Sequence, residues 1–223
     1  MRARLPAVHV YTGSEDKWRQ YRYLFGELGL EAVRPRLPAK REPQVDGCGP
    51  RAEQVLVTVP LDDVAELAER DRLYPLVVED TMLFVEHFNR DYDVEQVLPG
   101  PDTKRWWRAL GADGVVAVMG DTGRRRARYV CQLGVLLAPG ERRAFRAEVD
   151  GTIARAVDPP VGHVDEPPGD FTRNTFFHGI FVPDTASRTL ARMDQDTFLA
   201  HDYRRRCLSQ AAAVIADVAR SWP

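Results

Sequence analysis

The order of apolar segments at the start of the chain constrains the fold more than any other feature of the sequence. Residues 8–11 form a short apolar run typical of a buried strand, and this run leads into a turn at residues 12–14. Apolar side chains then recur at helical spacing from Trp18 to Leu28, where Gly29 ends the pattern. Residues 30–33 predict a second strand. This strand–helix–strand order predicts an α/β sheet with helices on its faces.

The second half of the chain carries the clearest strand pattern. Residues 127–137 and 144–149 flank Pro139 and Gly140, as expected for the two long strands of a β-hairpin. Residues 151–154 extend the second of these strands. The remaining pattern predicts strands at 55–59, 76–78 and 175–182, and helices from Pro60 onward and at 104–110 and 204–219. It also predicts a helical or buried segment at 114–119, a short helix or turn at 82–89, a short helix at 189–193, and loops at 35–52 and 155–173.

Composition narrows the class of protein. A chain of 223 residues fits one large domain or two fused lobes. The 31 basic and 33 acidic residues give a net charge of −2, which excludes a bulk polycation that coats nucleic acid or anionic lipid. No apolar run approaches the roughly 18 residues of a membrane span, and the start does not resemble a signal peptide. Three scattered cysteines support neither a disulfide framework nor a zinc site, so we expect a cytoplasmic protein.

Lysine is rare in this chain. Of the 31 basic residues only Lys17, Lys40 and Lys104 are lysines, and the rest are arginines. This bias is consistent with codon usage in a GC-rich genome. Because arginine is used so widely in this chain, a lysine in a loop is less expected by chance than it would be in an average sequence.

The turn between the first strand and the first helix is the first candidate site. Thr12, Gly13 and Ser14 form a small polar turn, and such turns present backbone N–H groups and the positive end of the helix dipole to anions. Lys17 would add a point charge for a phosphate. The alternative is an ordinary turn in which Ser14 caps the helix. The turn lacks the second glycine and the GK[ST] ending of a Walker A loop.

Two adjacent carboxylates end the strand predicted at 76–78. Ligands of open α/β sheets bind at such strand ends, so Glu79 and Asp80 lie where a ligand would be expected. Paired carboxylates can hold Mg²⁺, or one of them can polarise a water molecule. The alternative is an exposed strand end with solvated acids.

Two further candidates lie near the end of the chain. The aromatic run that includes Phe177 and His178 could stack on a base, although such a run more often belongs to the core. His201 and Arg204 fall in a basic cluster at the start of a helix, where they could bind phosphates or a base edge. The alternative for this cluster is a solvated helix face.

These weak signals occur in an order that resembles the inosine triphosphate pyrophosphatase family, which hydrolyses non-canonical purine nucleoside triphosphates. The family opens with a TGNxxKxxE turn, and this chain has Thr12-Gly13-Ser14 followed by Lys17. The family's [ED]DSGL motif is matched by residues 79–83, and its PG[PV]YS segment by residues 99–103. The GFGYDPIF motif is echoed by residues 174–181. The resemblance covers roughly residues 8–215.

The resemblance implies the fold, the reaction and the site. It implies a single domain over residues 1–223, an elongated mixed sheet with flanking helices that form two lobes around a cleft, and a homodimer. The implied reaction is Mg²⁺-dependent hydrolysis of a nucleoside triphosphate to a monophosphate and pyrophosphate. Asp80 and Lys17 would be catalytic, and Asp80, Glu79 and Glu53 would bind the metal. The implied substrate-binding residues are Thr12, Gly13, Ser14, Lys17, Thr81, Phe177, His178, His201 and Arg204.

The chain also departs from the family pattern at several functional positions. The glutamate of the first motif is Gln20, the glycine of DSGL is Met82, and the acid of GFGYDP is His178. The metal-binding glutamate aligns with Val55, with only Glu53 nearby, and a late lysine aligns with Phe198. Two alternatives therefore remain beside the family reaction. One is a nucleotide-binding protein that has lost hydrolysis, and the other is an enzyme for a different nucleotide-like substrate.

Overall fold

The first strand–helix–strand unit forms as the sequence predicts. The computed structural model describes residues 5–40, 43, 50–89, 98–159 and 177–221. Strand β1 (Ala7–Val10) and strand β2 (Glu31–Val33) pair in parallel, and helix α1 (Glu15–Glu27) connects them. Ser14 caps α1, because its Oγ accepts a hydrogen bond from the backbone N–H of Lys17 at 3.3 Å.

Helix α2 spans Pro50–Arg70, so the strand predicted at 55–59 is wrong, whereas the helix predicted from Pro60 onward is confirmed. The run of valine and leucine at 55–59 indicated a strand, and Pro60 indicated the first turn of a later helix. In the structure Pro60 lies inside one continuous helix. Four buried side chains of this helix recur at helical spacing and pack against the sheet, namely Val57, Leu61, Val64 and Ala68. Packing of this face outweighs the strand propensity of the valines and the cost of the proline.

Strand β3 is longer than predicted. It spans Leu76–Val85, because it pairs with strand β5 (Arg126–Ala138) along its whole length. The prediction of a short helix or turn over 82–89 is therefore wrong for its first half. Only Glu86–Phe88 forms a short 3₁₀ helix.

The predicted hairpin is confirmed. Strand β5 turns at residues 139–140 into strand β6 (Glu141–Ile153), and Gly140 has a φ of 74°, a conformation that favours glycine. Strand β7 (Phe181–Pro183) pairs with the end of β6.

The aromatic segment before β7 is a turn rather than a strand. Residues 177–180 form this turn, since the N–H groups of Ile180 and Phe181 both donate to the carbonyl of Phe177. The strand predicted at 175–182 is thus limited to its last two residues, and residues 175 and 176 lie outside the described part of the chain.

The remaining helices lie mostly where the sequence predicts them. Helix α3 (Thr103–Met119) bends at Gly111, and helix α5 (Tyr203–Ser221) is the predicted terminal helix. Leu190–Arg192 forms the predicted short helix, of the 3₁₀ type. Helix α4 (Gln195–His201) is short and was not predicted.

The described strands form one mixed seven-stranded sheet. Its order is β2-β1-β3-β5-β6-β7, and strand β4 (Pro99–Gly100) pairs with β3. Helices α1 and α5 cover one face of the sheet, and α2 covers the other. This confirms the predicted α/β class with a mixed sheet and flanking helices, while a single two-lobed domain over 1–223 stays a prediction. Within the described residues, no helix has the length and apolar character needed to cross a bilayer.

A gap in the sheet lies beside the middle of β3. One edge of β3 pairs with β5 throughout. On the other edge, β1 pairs with β3 at Leu76 and Val77, and β4 pairs with it at Leu83 and Phe84. Among the described strands, none pairs with this edge between those two contacts. The main-chain carbonyl of Glu79 therefore faces an opening instead of a neighbouring strand.

Candidate active site

A cavity of about 510 Å³ opens at this gap, within the size range of small-molecule sites. Its lining comes from the turn before α1, the segment after β2, the middle of β3, the start of α3, and side chains of β5 and α5. The structure therefore brings together three segments that the sequence predicted separately, which are residues 12–17, residues 79–81 and Arg204.

The turn before α1 faces this cavity. Thr12 Oγ1 accepts a hydrogen bond from the N–H of Ser14 at 3.1 Å, and Gly13 lies between them in the lining. Ser14 caps α1, as the alternative interpretation predicts, and the turn also lines the cavity, where anion binding stays a prediction. The positive end of the α1 dipole and Lys17 thus lie at the same wall.

Glu79 is held between two cations in the wall of the cavity. Its Oε2 lies 3.1 Å from Lys17 Nζ and 3.3 Å from Arg204 Nε, and the side chain is 2% exposed. The hydroxyl of Thr81 also donates to it. Burial favours the neutral acid, but Arg204 and Lys17 outweigh it and lower the pKa of Glu79 to about 2. Glu79 is therefore ionised at neutral pH, and its charge is already balanced by the protein.

Gln20 explains one departure from the family pattern. Its Oε1 accepts from Arg204 Nη1 at 2.9 Å, and its Nε2 donates to Asp202 Oδ2 at 2.5 Å. An amide can satisfy both neighbours, whereas a glutamate would place a second carboxylate against Asp202. The three side chains are buried and fix the guanidinium of Arg204 in the cavity wall.

Asp202 gives the fold a predictable pH dependence. Burial raises the pKa of its carboxyl from 3.8 to about 6, although Arg204 and the N–H groups of Arg204 and Arg205 oppose the rise. The folded state therefore binds the extra proton between about pH 4 and pH 6, and the unfolded state does not. Asp202 thus contributes less to the free energy of unfolding as pH rises through this window. A shift of about two pKa units corresponds to about 3 kcal/mol.

We expect the difference in free energy of unfolding between the wild type and Asp202→Asn to fall by about 2 kcal/mol from pH 4 to pH 7. Urea denaturation at successive pH values measures it, and asparagine stays neutral throughout. Asp71→Asn, at an exposed ion pair with Arg70, is the control and should show no such fall. A difference for Asp202→Asn that is constant over this range would contradict the assignment.

Asp80 faces the cavity beside two lysines. Its Oδ2 lies 3.2 Å from Lys40 Nζ, and its Oδ1 lies 3.7 Å from Lys17 Nζ. The N–H of Thr81 donates to Oδ1 at 2.9 Å and fixes the carboxylate. The side chain is 25% exposed, so one side of the carboxylate remains open to a ligand or to water.

Aromatic side chains form another part of the lining. The rings of Tyr129 and Tyr203 are stacked with centroids 4.6 Å apart. Phe177 also lines the cavity, as predicted, with its ring 4.3 Å from that of Trp107 and 6.2 Å from that of Tyr129. Such a wall suits a flat apolar or heteroaromatic group.

Neither predicted histidine is among the described residues that line the cavity. Phe177 and His178 are both buried, but only Phe177 lines the cavity. His178 packs against Phe198, with ring centroids 5.0 Å apart, and its ring lies 6.4 Å from that of Tyr203. His201 lies at the end of α4, where its Nδ1 is 3.3 Å from Thr185 Oγ1. The prediction that both contact the ligand directly therefore disagrees with the structure.

The predicted metal ligands do not form a cation site in this arrangement. Glu53 is buried elsewhere on α2, with its Oε2 2.7 Å from Arg146 Nε and 3.0 Å from Gln132 Nε2, and is not among the described cavity residues. Glu79 and Asp80 are both paired with cations of the protein. Within the described ranges, no cluster of three or more His, Cys, Asp or Glu side chains could hold a metal ion. In the described part of the chain, the donor set therefore does not fit an Mg²⁺ held by the protein alone.

Several lining residues were missed by motif matching. All three lysines of the chain line the cavity, although only Lys17 lies in a recognised motif. The scarcity of lysine is the one sequence signal that points to Lys40 and Lys104. Arg108 on α3 also lines the cavity, and against the arginine-rich background nothing in the sequence distinguishes it.

The fold and the site together define a class of protein. A mixed α/β sheet gathers five basic side chains at a gap beside an aromatic wall, which suits a small polyanion that carries a flat group. The model of the Ham1 family matches residues 8–214, and the chain belongs to the Ham1 family. The family resemblance predicted from the order of the motifs is thereby confirmed.

Relatives and solved structures agree with this membership. A dITP/XTP pyrophosphatase of Ignicoccus hospitalis is 27% identical over 210 residues, which are 92% of this chain and 94% of that protein. One from Symbiobacterium thermophilum is 26% identical over 215 residues, covering 92% and 95%. The structure of a HAM1 protein from Coxiella burnetii is similar in fold, with a TM-score of 0.64 at 15% identity, over 95% of this chain and 98% of that one.

Proposed function

We propose that this protein hydrolyses nucleoside triphosphates, preferably non-canonical purine ones, to the monophosphate and pyrophosphate. The observation that carries the proposal is the partly exposed carboxylate of Asp80 in the cavity beside Lys17, at the start of α1. This pairing places a proton acceptor next to a phosphate-binding wall. Membership of the Ham1 family and relatives named dITP/XTP pyrophosphatases support the same reaction.

The charge of the cavity supports a triphosphate as the ligand. Among the described lining residues, five basic side chains stand against three acidic ones. The excess is positive, although the whole chain has a net charge of −2. The basic set is Lys17, Lys40, Lys104, Arg108 and Arg204. Such a local field attracts and holds polyanions in a protein that does not bind them generally.

Each part of the site has a role in the proposed reaction. The turn before α1 and Lys17 bind phosphate oxygens and stabilise the charge that develops on them. Asp80 accepts a proton from the water that attacks the α-phosphorus. The bond from that phosphorus to the α–β bridging oxygen breaks, and pyrophosphate leaves with both of its phosphates. The base lies against Tyr129, Phe177 and Tyr203. Mg²⁺ enters this proposal as part of the substrate, since triphosphates bind it themselves.

One observation favours a second candidate, a nucleotide-binding protein without turnover. Both oxygens of Asp80 already have partners, because Lys40 and Lys17 lie beside them and the N–H of Thr81 donates to one. If the ligand does not draw the ammonium groups away, the carboxylate would hold them instead of activating water.

Pyrophosphate release by the purified protein separates the two candidates. The assay uses the Mg²⁺ complexes of dITP, XTP, ITP and the four standard ribonucleoside triphosphates. We expect release from the deaminated purines, at a rate at least tenfold above that from ATP or GTP. Saturable binding of the same nucleotides without release would favour the second candidate. Absence of both would contradict the proposed function.

We also propose that the protein forms a homodimer and is cytoplasmic. Both rest on the family membership, and the net charge of −2 is in keeping with a protein that does not bind nucleic acid or membranes. Light scattering of the purified protein distinguishes a dimer from a monomer.

A further inference from the structure

We propose that the ammonium group of Lys40 takes the place of a divalent cation beside Asp80, so that the described residues of this cavity offer no Mg²⁺ site in the absence of a nucleotide. The inference does not depend on the pyrophosphatase reaction. It concerns the positive charge that the protein itself supplies at the Asp80 carboxylate. In this respect the cavity differs from a site that requires a bound metal.

The contacts of Lys40 are those that a cation would make. Its Nζ lies 3.2 Å from Asp80 Oδ2 and 3.2 Å from the main-chain oxygen of Glu79. A carboxylate oxygen and a carbonyl oxygen are ligands that Mg²⁺ and Mn²⁺ prefer. The lysine side chain is 13% exposed, so its charge is largely enclosed with these oxygens.

The gap in the sheet makes this contact available. Because no described strand pairs with β3 at this point, the carbonyl of Glu79 is open to a side chain. The segment that follows β2 brings Lys40 there. This segment is fixed to the sheet by the hydroxyl of Tyr11, which donates to the carbonyl of Pro38 at 2.9 Å.

The other predicted metal ligands are also engaged by cations. Glu79 is paired with Lys17 and Arg204, and Glu53 is paired with Arg146. A divalent ion at Asp80 would therefore have to displace an ammonium group and would be repelled by the others. Removing Lys40 frees Asp80 Oδ2 and removes one of the two ammonium groups at the Glu79 carbonyl, which keeps its contact with Lys17 Nζ at 3.3 Å.

Binding of Mn²⁺ to the nucleotide-free protein tests the inference. Electron paramagnetic resonance measures free Mn²⁺ during titration of the wild type, Lys40→Ala and Lys40→Ala/Asp80→Asn. We expect Lys40→Ala to bind one Mn²⁺ at least tenfold more tightly than the wild type, and the double variant to lose this gain. Lys40→Met serves as a second variant that keeps more of the side chain's packing.

A matched control removes a cation from an aspartate outside the cavity. Arg142→Ala frees Asp62, which is paired with Arg142 at an exposed position, and should not create a Mn²⁺ site. Equal Mn²⁺ affinity in the wild type and in both Lys40 variants would overturn the inference. So would tight wild-type binding that is lost in Asp80→Asn. Failure of pyrophosphate release in every assay would instead contradict the proposed function. The Mn²⁺ titrations could still be interpreted, because they do not depend on activity.

Discussion

Replacement of Asp80 by asparagine is expected to lower kcat/KM for pyrophosphate release by a factor of about 10²–10⁴, the usual contribution of a positioned general base. Asparagine keeps the size and shape of the side chain, but its amide cannot accept a proton from water. The loss should fall on kcat more than on KM, because Lys17 and the turn before α1 still bind the phosphates.

The controls for this variant separate chemistry from folding. Asp80 is 25% exposed and its main interactions are with lysine side chains, so the variant should fold and melt close to the wild type. Asp71→Asn makes the same chemical change in the exposed turn after α2 and should leave the rate unchanged. A rate for Asp80→Asn within threefold of the wild type would remove Asp80 from the proposed mechanism.

The largest loss of stability is expected from Glu79→Gln. The substitution removes the one carboxylate that lies between Lys17 and Arg204, and the guanidinium is only 5% exposed. Breaking a buried pair in this way costs about 3–5 kcal/mol, because the remaining charge stays buried without its partner. For a chain of this length that loss lowers Tm by about 6–20 °C. Calorimetry at pH 7 measures it.

Two comparisons identify the cause of this loss. Glu141→Gln breaks an ion pair with Arg143 that is about half exposed, and it should change the free energy of unfolding by less than about 1 kcal/mol. Combining Glu79→Gln with Arg204→Met removes both charges. The double variant should be more stable than the sum of the two single losses implies. If Glu79→Gln melts within 2 °C of the wild type, the buried pair is not a source of stability.

The parts of the fold that the sequence predicted are those in which local pattern and packing agree. The first strand–helix–strand unit and the hairpin at Gly140 each carry their own periodicity and turn residues. The first half of helix α2 was not predicted, because its valine-rich start matches strand propensity and only contact with the sheet reveals the helical face. The length of β3 likewise depends on its pairing with β5, which lies far away in the sequence.

In the candidate site, too, the residues that lie in local motifs were predicted, and those placed by contacts between distant segments were not. Motif order placed Lys17, Asp80 and Phe177 in one cavity, because residues in a motif keep their spacing. The position of Lys40 depends on how the segment after β2 crosses the gap, and no local pattern encodes that crossing. For His178, a difference of one position within a turn decides whether the side chain faces the cavity or the core.

The gap beside β3 links ligand binding to the integrity of the sheet. At this point the carbonyl of Glu79 is held by two ammonium groups, Lys17 Nζ at 3.3 Å and Lys40 Nζ at 3.2 Å, where a neighbouring strand would otherwise donate an N–H. An anion that draws both lysines toward itself therefore removes the contacts that hold this edge of the strand. In the free protein, the two ammonium groups that a ligand would contact hold the Glu79 carbonyl. Binding of an anion would therefore exchange a contact within the protein for a contact with the ligand.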